Sequence, residues 1–284
     1  MKENKARVIA FYLPQYHPIP ENDKYWGKGF TEWTNVAKAK PLFRGHYQPH
    51  IPADLGFYDL RLPEVREAQA ELARDAGIEG FCYYHYWFGN GKMLLQKPFE
   101  EVLRLGKPDF PFCLCWANHD WTTKTWVKGS SMVNNTMIAQ QEYLGEQDDI
   151  KHFEYCLRAF KDHRYITIEG KPIFLIYDPL SFPNVKEFMN RWNFLAKKNN
   201  LKGIYFIGVT TGRQSSYKIV TNLGFDGVCH NRRWEAEAKA AGFRFVRRMQ
   251  SLLGWHLGIS LMKYDYNKVC LLYTSDAADE LDGV

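Results

Sequence analysis

Short apolar runs alternate with longer amphipathic segments along most of this 284-residue chain. The runs have the length of strands that are buried on both faces, and the segments between them repeat apolar residues at helical spacing. The runs predict strands at 8–13, 81–87, 112–116, 173–177, 204–209 and 227–230. The segments predict helices at 63–76, 98–105, 148–161, 184–198 and 217–223. This alternation is typical of a parallel sheet that is covered by helices.

A closed barrel and an open, doubly wound sheet both fit the alternation. An open sheet that binds a dinucleotide carries a GxGxxG turn after its first strand, but FYLPQYHP stands at that place here. We therefore favour an α/β fold of the (β/α)8 TIM-barrel type, with its active site at the carboxyl ends of the strands. Polar or aromatic residues follow each predicted strand, as this architecture requires, and the third strand is followed by Asn118, His119, Asp120 and Trp121.

Two irregular stretches and the C-terminal end depart from the alternation. The stretches 14–58 and 122–145 are long for loops of a compact domain, and such loops usually bind or cover ligands. The end of the chain, CLLYTSDAADELDGV, has neither a helical nor a strand period. Six clear strands precede it, whereas a closed barrel of this type has eight. We therefore expect an incomplete barrel domain at 1–269, lacking its last one or two strand–helix units, and a foreign or disordered tail at 270–284.

Composition narrows the class of ligand and the expected location. The aromatic share of 16% is high, and aromatic faces stack well on sugar rings and bases. The formal charge of +5 is mild and the basic residues are scattered, which argues against a nucleic-acid partner. The six cysteines form no CxxC pair, and the N-terminus shows neither a secretory leader nor a transmembrane run. These features predict a cytoplasmic chain without a transmembrane segment. We expect no cofactor.

Four stretches of the chain carry a family resemblance. A long motif spans 11–61, and three shorter ones read GIEGFCYYHYWF, CLCWANHDWT and GKPIFLIYDP. Together they resemble the WbsX-type glycosyltransferase family, also described as glycoside-hydrolase-family-99-like, from about residue 7 to about residue 266. Members are similar to endo-α-mannosidase barrels and often accompany genes for O-antigen and other surface polysaccharides. The resemblance implies a glycan-processing barrel enzyme of bacterial lipopolysaccharide metabolism that acts on a mannose-type or O-antigen glycan. It leaves transfer and hydrolysis open.

Two departures from the family pattern bear on activity. In the family the third strand usually ends WANENW, so that a glutamate stands where this chain has His119. Members also carry an asparagine-glutamate-tryptophan motif with further acidic residues on a late strand, and this sequence has no counterpart. A catalytically impaired, carbohydrate-binding barrel is therefore the alternative function.

Glycosyl transfer or hydrolysis requires one carboxyl to protonate the leaving oxygen and a second group as base or nucleophile. Carboxylates at strand ends or in the first long loop can meet a substrate, which selects Asp120, Asp178 and Glu32 as catalytic candidates. Each also has a purely structural interpretation. Asp120 fits an Asx turn or helix N-cap, Asp178 an Asp-Pro turn, and Glu32 a capping box.

Hydrogen-bonding and ring-stacking side chains complete the predicted pocket. The substrate-binding candidates are Tyr12, Gln15, His17, Trp33, His50, His85, Trp87, Trp116, Asn118, His119, Trp121 and His230. The tryptophans fit equally well as core that fills the barrel mouth, and His85 fits as a core histidine. The histidines form no HxH or HExxH pair, so we expect no metal site.

Overall fold

The computed structural model describes residues 6–41, 44–123, 136–210, 215–231, 233–240, 248–249, 252 and 265–271. The elements are, in chain order, β1 (Ile9–Tyr12), α1 (Pro20–Trp26), α2 (Glu32–Lys38), α3 (Pro63–Asp75), β2 (Gly80–Trp87), β3 (Met93–Leu94), α4 (Lys97–Leu105), β4 (Phe112–Trp116), β5 (Trp121–Thr122), β6 (Met137–Ala139), α5 (Glu146–Phe160), β7 (Thr167–Ile168), β8 (Lys171–Ile176), α6 (Val185–Lys198), β9 (Tyr205–Thr210), α7 (Ser215–Asn222), β10 (Gly227–His230) and α8 (Arg233–Ala240). In these residues no helix is both long and apolar enough to cross a membrane.

The main sheet keeps its strands in the order of the chain. Its path is β1-β2-β4-β8-β9-β10, and every neighbouring pair on this path is parallel. An open doubly wound sheet reverses its strand order at one point, whereas a barrel adds each new strand next to the last one. The chain therefore has an α/β fold of the (β/α)8 type, and the described residues form six consecutive strand–helix units of it. The predicted fold class is confirmed.

The two faces of the sheet have different neighbours. Side chains alternate between the faces of a strand, and in β4 the rings of Phe112 and Trp116 reach the helices. Phe112 lies 5.4 Å from Phe99 of α4, and Trp116 lies 5.5 Å from Phe188 of α6, measured between ring centroids. Cys115 points to the opposite face and is fully buried. We call the helix-covered face the outer face and the opposite one the inner face.

The sheet curls towards its inner face. Burial raises the pKa of the Cys82 thiol in β2, and the Cys229 thiol in β10 adds to that rise. The two strands are four places apart on the path, which is about 19 Å in a flat sheet at roughly 4.8 Å per strand. An electrostatic effect between these two thiols therefore requires the curvature of a barrel wall.

The helices bury their apolar stripes on the outer face. Trp192 of α6 lies at the centre of this layer with no exposed surface, 4.7 Å from the ring of Phe174 in β8. Its indole N–H donates to the backbone oxygen of Asp149 at 3.0 Å, so the ring is buried without an unpaired donor. Loss of such a ring costs about 3–5 kcal/mol in a protein core.

The long stretch after β1 is more ordered than the sequence predicts. It contains α1 and α2, each of seven residues, and α2 begins with a capping box in which Thr31 and Thr34 bond reciprocally. Seven residues are too few to display a helical repeat, so the pattern of the sequence predicted irregular structure there. Residues 124–135 of the second stretch and 272–284 of the predicted tail lie outside the described residues, and the predicted boundary at residue 269 stays a prediction.

Candidate active site

A row of aromatic rings crosses the inner face near the carboxyl ends of the strands. Phe11 of β1 stacks on Tyr84 of β2 at 5.4 Å, and Tyr84 contacts Tyr177 at 6.0 Å. Tyr177 directly follows β8, and its ring lies 5.3 Å from His119, which follows β4. Phe11 is 43% exposed, Tyr84 and Tyr177 are half-buried, and His119 is exposed. This inner aromatic row therefore presents ring surface to solvent at the place where a barrel binds its substrate.

Tyr86 connects the row to the loop that carries Glu32. Its hydroxyl accepts a hydrogen bond of 2.9 Å from Gln15, and its ring stacks on Trp121 at 5.5 Å and 17°. Burial raises the pKa of Tyr86, and the charges of Glu32 and Tyr177 add to the rise. Glu32 is half-buried at the start of α2. Of the three catalytic candidates, Glu32 is the one whose charge raises the pKa of a tyrosine at the carboxyl end of the inner face.

Aromatic side chains hold the Glu32 helix in place. Trp33 donates its indole N–H to the backbone oxygen of Tyr58 at 2.8 Å and packs against Tyr16 at 4.6 Å. Burial raises the pKa of Tyr16, and Glu32 adds to this shift as well. Trp33 therefore anchors the start of α2, where Glu32 lies. Its indole N–H already donates to Tyr58.

Asn118 joins the ends of β4 and β8. Its amide group donates to the backbone oxygen of Asp178 at 2.8 Å and accepts from the backbone N–H of Asp178 at 2.7 Å. The amide also donates to the hydroxyl of Tyr143 at 3.0 Å. Asn118 is only 1% exposed, so it positions Asp178 rather than meeting solvent itself.

The carboxylates of Asp120 and Asp178 both accept hydrogen bonds from residues of neighbouring loops. The Asp120 carboxylate accepts from the backbone N–H of Gln141 at 2.7 Å, and the Asp178 carboxylate accepts from the hydroxyl of Ser181 at 2.7 Å and from its N–H at 3.2 Å. Burial raises the pKa of Tyr143 to about 12, and both aspartates add to that rise. The charges of both aspartates therefore act on Tyr143, whereas the charge of Glu32 acts on Tyr86.

Several predicted pocket residues belong to the outer face instead. The odd-numbered residues of β2 and the even-numbered ones of β4 reach the helices. As a result His85 contacts His152 of α5, Trp87 stacks on the same ring, and Trp116 donates to the backbone oxygen of Trp87 at 2.9 Å.

Two candidates on other strands also bond away from the inner aromatic row. Tyr12 donates to Gln69 of α3 at 2.6 Å, and His230 shares a hydrogen bond of 2.5 Å with Thr210. The structure does not bring these five side chains to the inner aromatic row.

The other two histidine candidates also lie apart from the row. His17 is 1% exposed, and burial lowers its pKa to about 4. His50 is exposed in its loop and contacts the edge of Tyr47 at 4.9 Å. Neither imidazole forms a contact with the inner aromatic row among the ring contacts of the described residues.

The sequence interpretation missed residues that the structure places at the site. Tyr84, Tyr86 and Tyr177 lie on the inner face, and Phe11 completes the row. Strand parity is the signal that could have found them, because Tyr84 and Tyr86 alternate with the outward-facing His85 along one strand. The predicted strand at 81–87 and β2 end at the same residue, so the alternation of faces along it could be read from the sequence.

A barrel whose strand ends carry aromatic rings and carboxylates belongs to the class of barrels that is suited to sugars. The sequence profile of the family "Glycosyltransferase WbsX" matches residues 8–280. The chain belongs to this family, as its motifs predict.

The chain is also similar to curated relatives and to solved structures. The "Uncharacterized protein WxcX" of Xanthomonas campestris pv. campestris strain B100 is 42% identical over 223 residues, which are 78% of this chain and 31% of that protein. This chain thus spans about a third of the curated relatives it matches. The GH99 endo-alpha-mannosidase of Bacteroides thetaiotaomicron, in complex with BIS-TRIS-propane, aligns at 16% identity and a TM-score of 0.49 over 89% of this chain and 66% of its own. A "glycoside hydrolase-like protein" aligns at 15% identity and a TM-score of 0.48 over 87% and 67%.

Proposed function

We propose that this chain is the catalytic barrel of an enzyme that processes bacterial surface polysaccharide. In this proposal the inner aromatic row holds a mannose-type or O-antigen glycan, and Glu32 transfers a proton at the glycosidic oxygen. The observation that carries it is the hydrogen bond from Gln15 to Tyr86 beside the row, together with the charge of Glu32, which adds to the rise in the pKa of that tyrosine. Sugar hydroxyls take polar groups such as these, while the face of a pyranose stacks on a ring.

Asp178 is the second carboxyl in this proposal. Its backbone is fixed by Asn118 and its carboxylate is oriented by Ser181, so it is held without having to move on binding. A positioned carboxylate can act as base or nucleophile opposite the acid. Asp120 is the alternative for this role. The acceptor, water or a sugar hydroxyl, and the predicted cytoplasmic location are further parts of the proposal.

A catalytically impaired, carbohydrate-binding barrel is the second candidate. His119 stands where the family resemblance places a glutamate, and it contributes a ring to the row instead of a carboxylate. Oxygens of Asp120 and Asp178 are also used by hydrogen bonds within their loops. These observations favour a site that binds a glycan without turning it over.

One set of measurements separates the two candidates. Mannose-type oligosaccharides are titrated onto the chain, and release or transfer of a labelled sugar is followed in parallel. Glu32→Gln keeps the shape of the side chain but removes its proton-transfer group, so turnover should fall by on the order of 10²-fold or more while binding changes little. Glu142→Gln, at an exposed glutamate in the second loop, is the control.

The outcomes have distinct meanings. Turnover that depends on Glu32 supports the enzyme. Binding without turnover in the unchanged chain supports the second candidate. Turnover that survives in Glu32→Gln at the level of Glu142→Gln would remove Glu32 from the mechanism.

A further inference from the structure

A cluster of three potential metal ligands lies on the outer face, away from the inner aromatic row. Within the described residues, His85 of β2 and His152 and Cys156 of α5 place one nitrogen or sulfur atom each within 4.8 Å of one another. The Nε2 atoms of the two imidazoles are 2.8 Å apart. The side chains are 5%, 1% and 0% exposed. The proposed glycan chemistry uses none of them.

Regular structure brings these three groups together. His152 and Cys156 are four residues apart on α5, so they lie on one side of that helix. His85 is an outward-facing residue of β2 and meets that side. Because His85 and His152 are 67 positions apart along the chain, no local sequence motif indicates the cluster.

Neighbouring side chains fix the orientation of both imidazoles. The ring of Trp87 stacks on His152 at 4.7 Å and 4°, and the ring of Tyr155 stacks on His85 at 5.5 Å and 12°. Side chains that orient ligands in this way spare a metal ion the cost of ordering them.

We propose that His85, His152 and Cys156 bind a thiophilic metal ion between β2 and α5, with Zn²⁺ as the probe. Imidazole nitrogen and thiolate sulfur are the ligands that Zn²⁺ prefers in proteins. With Zn–N bonds of about 2.1 Å and Zn–S bonds of about 2.3 Å, a tetrahedral ion separates its ligand atoms by roughly 3.4–3.6 Å. The imidazole nitrogens must therefore separate slightly, while all three ligand atoms stay within the distance that they already span.

Protons can leave these ligands when the ion binds. Burial lowers the pKa of His85 to about 3 and also lowers that of His152, so both rings are neutral near pH 7 and compete little for a proton. The ring that donates in the imidazole pair shifts its hydrogen from Nε2 to Nδ1. Burial raises the pKa of the Cys156 thiol, and the ion displaces this proton to solvent when the Zn–S bond forms.

The surroundings also balance the charge of the ion. A dication bound to one thiolate keeps one positive charge, which is costly in an apolar layer. Asp148 lies one helical turn before His152 on α5 and is 8% exposed. Its carboxylate accepts from the indole N–H of Trp87, the ring that stacks on His152, at 3.1 Å. A second negative charge therefore stands close to the site.

Metal analysis of the purified chain tests the proposal. After incubation with Zn²⁺ and dialysis, we expect one zinc ion per chain by mass spectrometry. X-ray absorption at the zinc edge should show two nitrogen ligands and one sulfur ligand from the protein. Cys156→Ala should weaken Zn²⁺ binding by on the order of 100-fold or more. Cys115→Ala removes an equally buried thiol from the inner face and is the matched control, with unchanged zinc content.

Three outcomes would overturn the proposal. They are a chain that retains no zinc, a zinc ion bound by sulfur alone, and a Cys156→Ala variant with the same affinity as the Cys115→Ala variant. If Cys156→Ala fails to fold by circular dichroism, the absorption spectrum of the unchanged chain decides by itself. A hydrogen-bonded imidazole pair without an ion is then the remaining explanation of the cluster.

Discussion

Acid should destabilise the fold through His17. The side chain is 1% exposed, and neither ring nitrogen makes a hydrogen bond of good geometry within the described residues. Burial lowers its pKa from 6.5 to about 4 against the opposing charge of Asp59, and the charges of Arg61 and Lys97 add smaller effects in the same direction as burial. The unfolded chain therefore binds a proton more readily than the folded chain between about pH 6.5 and pH 4.

The size of the effect follows from the two pKa values. The contribution of His17 to the free energy of unfolding is complete above pH 6.5. It is lost progressively as the pH falls from 6.5 to the folded pKa of about 4 and below it. At pH 5 the unfolded histidine is almost fully protonated and the folded one is almost neutral. The difference corresponds to about 2 kcal/mol of the free energy of unfolding. That is a large part of the 5–15 kcal/mol typical of a domain.

Urea unfolding at pH 7 and at pH 5, followed by tryptophan fluorescence, measures this loss. His17→Phe keeps a ring of similar shape and removes the titrating group, so the variant should lose about 2 kcal/mol less than the unchanged chain between the two pH values. His50→Phe is the matched control, because this histidine is exposed in the folded chain. An identical pH dependence in His17→Phe and the unchanged chain would refute the reasoning.

Two substitutions test the close packing and the hydrogen bonds described above, again by urea unfolding. Gly80→Ala places a Cβ atom 2.5 Å from a backbone oxygen and should cost about 1–3 kcal/mol, whereas Gly227→Ala meets nothing closer than 3.5 Å and should be nearly neutral. Equal stabilities of these two variants would contradict the close approach of that backbone oxygen to Gly80. Asn118→Leu leaves the backbone groups of Asp178 unpaired and should cost about 2–3 kcal/mol. The exposed Asn222→Leu is its control, and an Asn118→Leu variant as stable as this control would show that the bonds contribute nothing.

The sequence predicted the sheet well because buried parallel strands are nearly all apolar. The run at 112–116 coincides with β4, and the run at 227–230 with β10. Short elements were missed for the opposite reason. The two residues of β5 and the three of β6 are stabilised by pairing with each other, and no propensity over two or three residues can reveal that.

The structure brings some of the predicted site residues near the inner aromatic row and places others elsewhere, and the site itself stays a prediction. Gln15 bonds to Tyr86, His119 contacts Tyr177, and the charge of Glu32 acts on Tyr86. His85 and Trp87 lie on the outer face, because they alternate with the inward-facing Tyr84 and Tyr86 along β2, and the choice of candidates did not apply this alternation. Contacts between distant strands, such as that between Tyr84 and Tyr177, depend on sheet order and curvature, which no single stretch of sequence specifies.

Oligosaccharide binding to the inner aromatic row is the most direct test of the central claim. Calorimetric titration of a mannose-type oligosaccharide compares the unchanged chain with Tyr177→Ala, which removes a ring from the middle of the row. Phe194→Ala, which removes a ring that is 57% exposed on α6, is the control. We predict that Tyr177→Ala weakens binding about tenfold or more, or about 1.4 kcal/mol, and that Phe194→Ala changes it less than about twofold. Equal affinities for the two variants, or no binding by the unchanged chain, would contradict the claim that this face of the barrel holds a glycan.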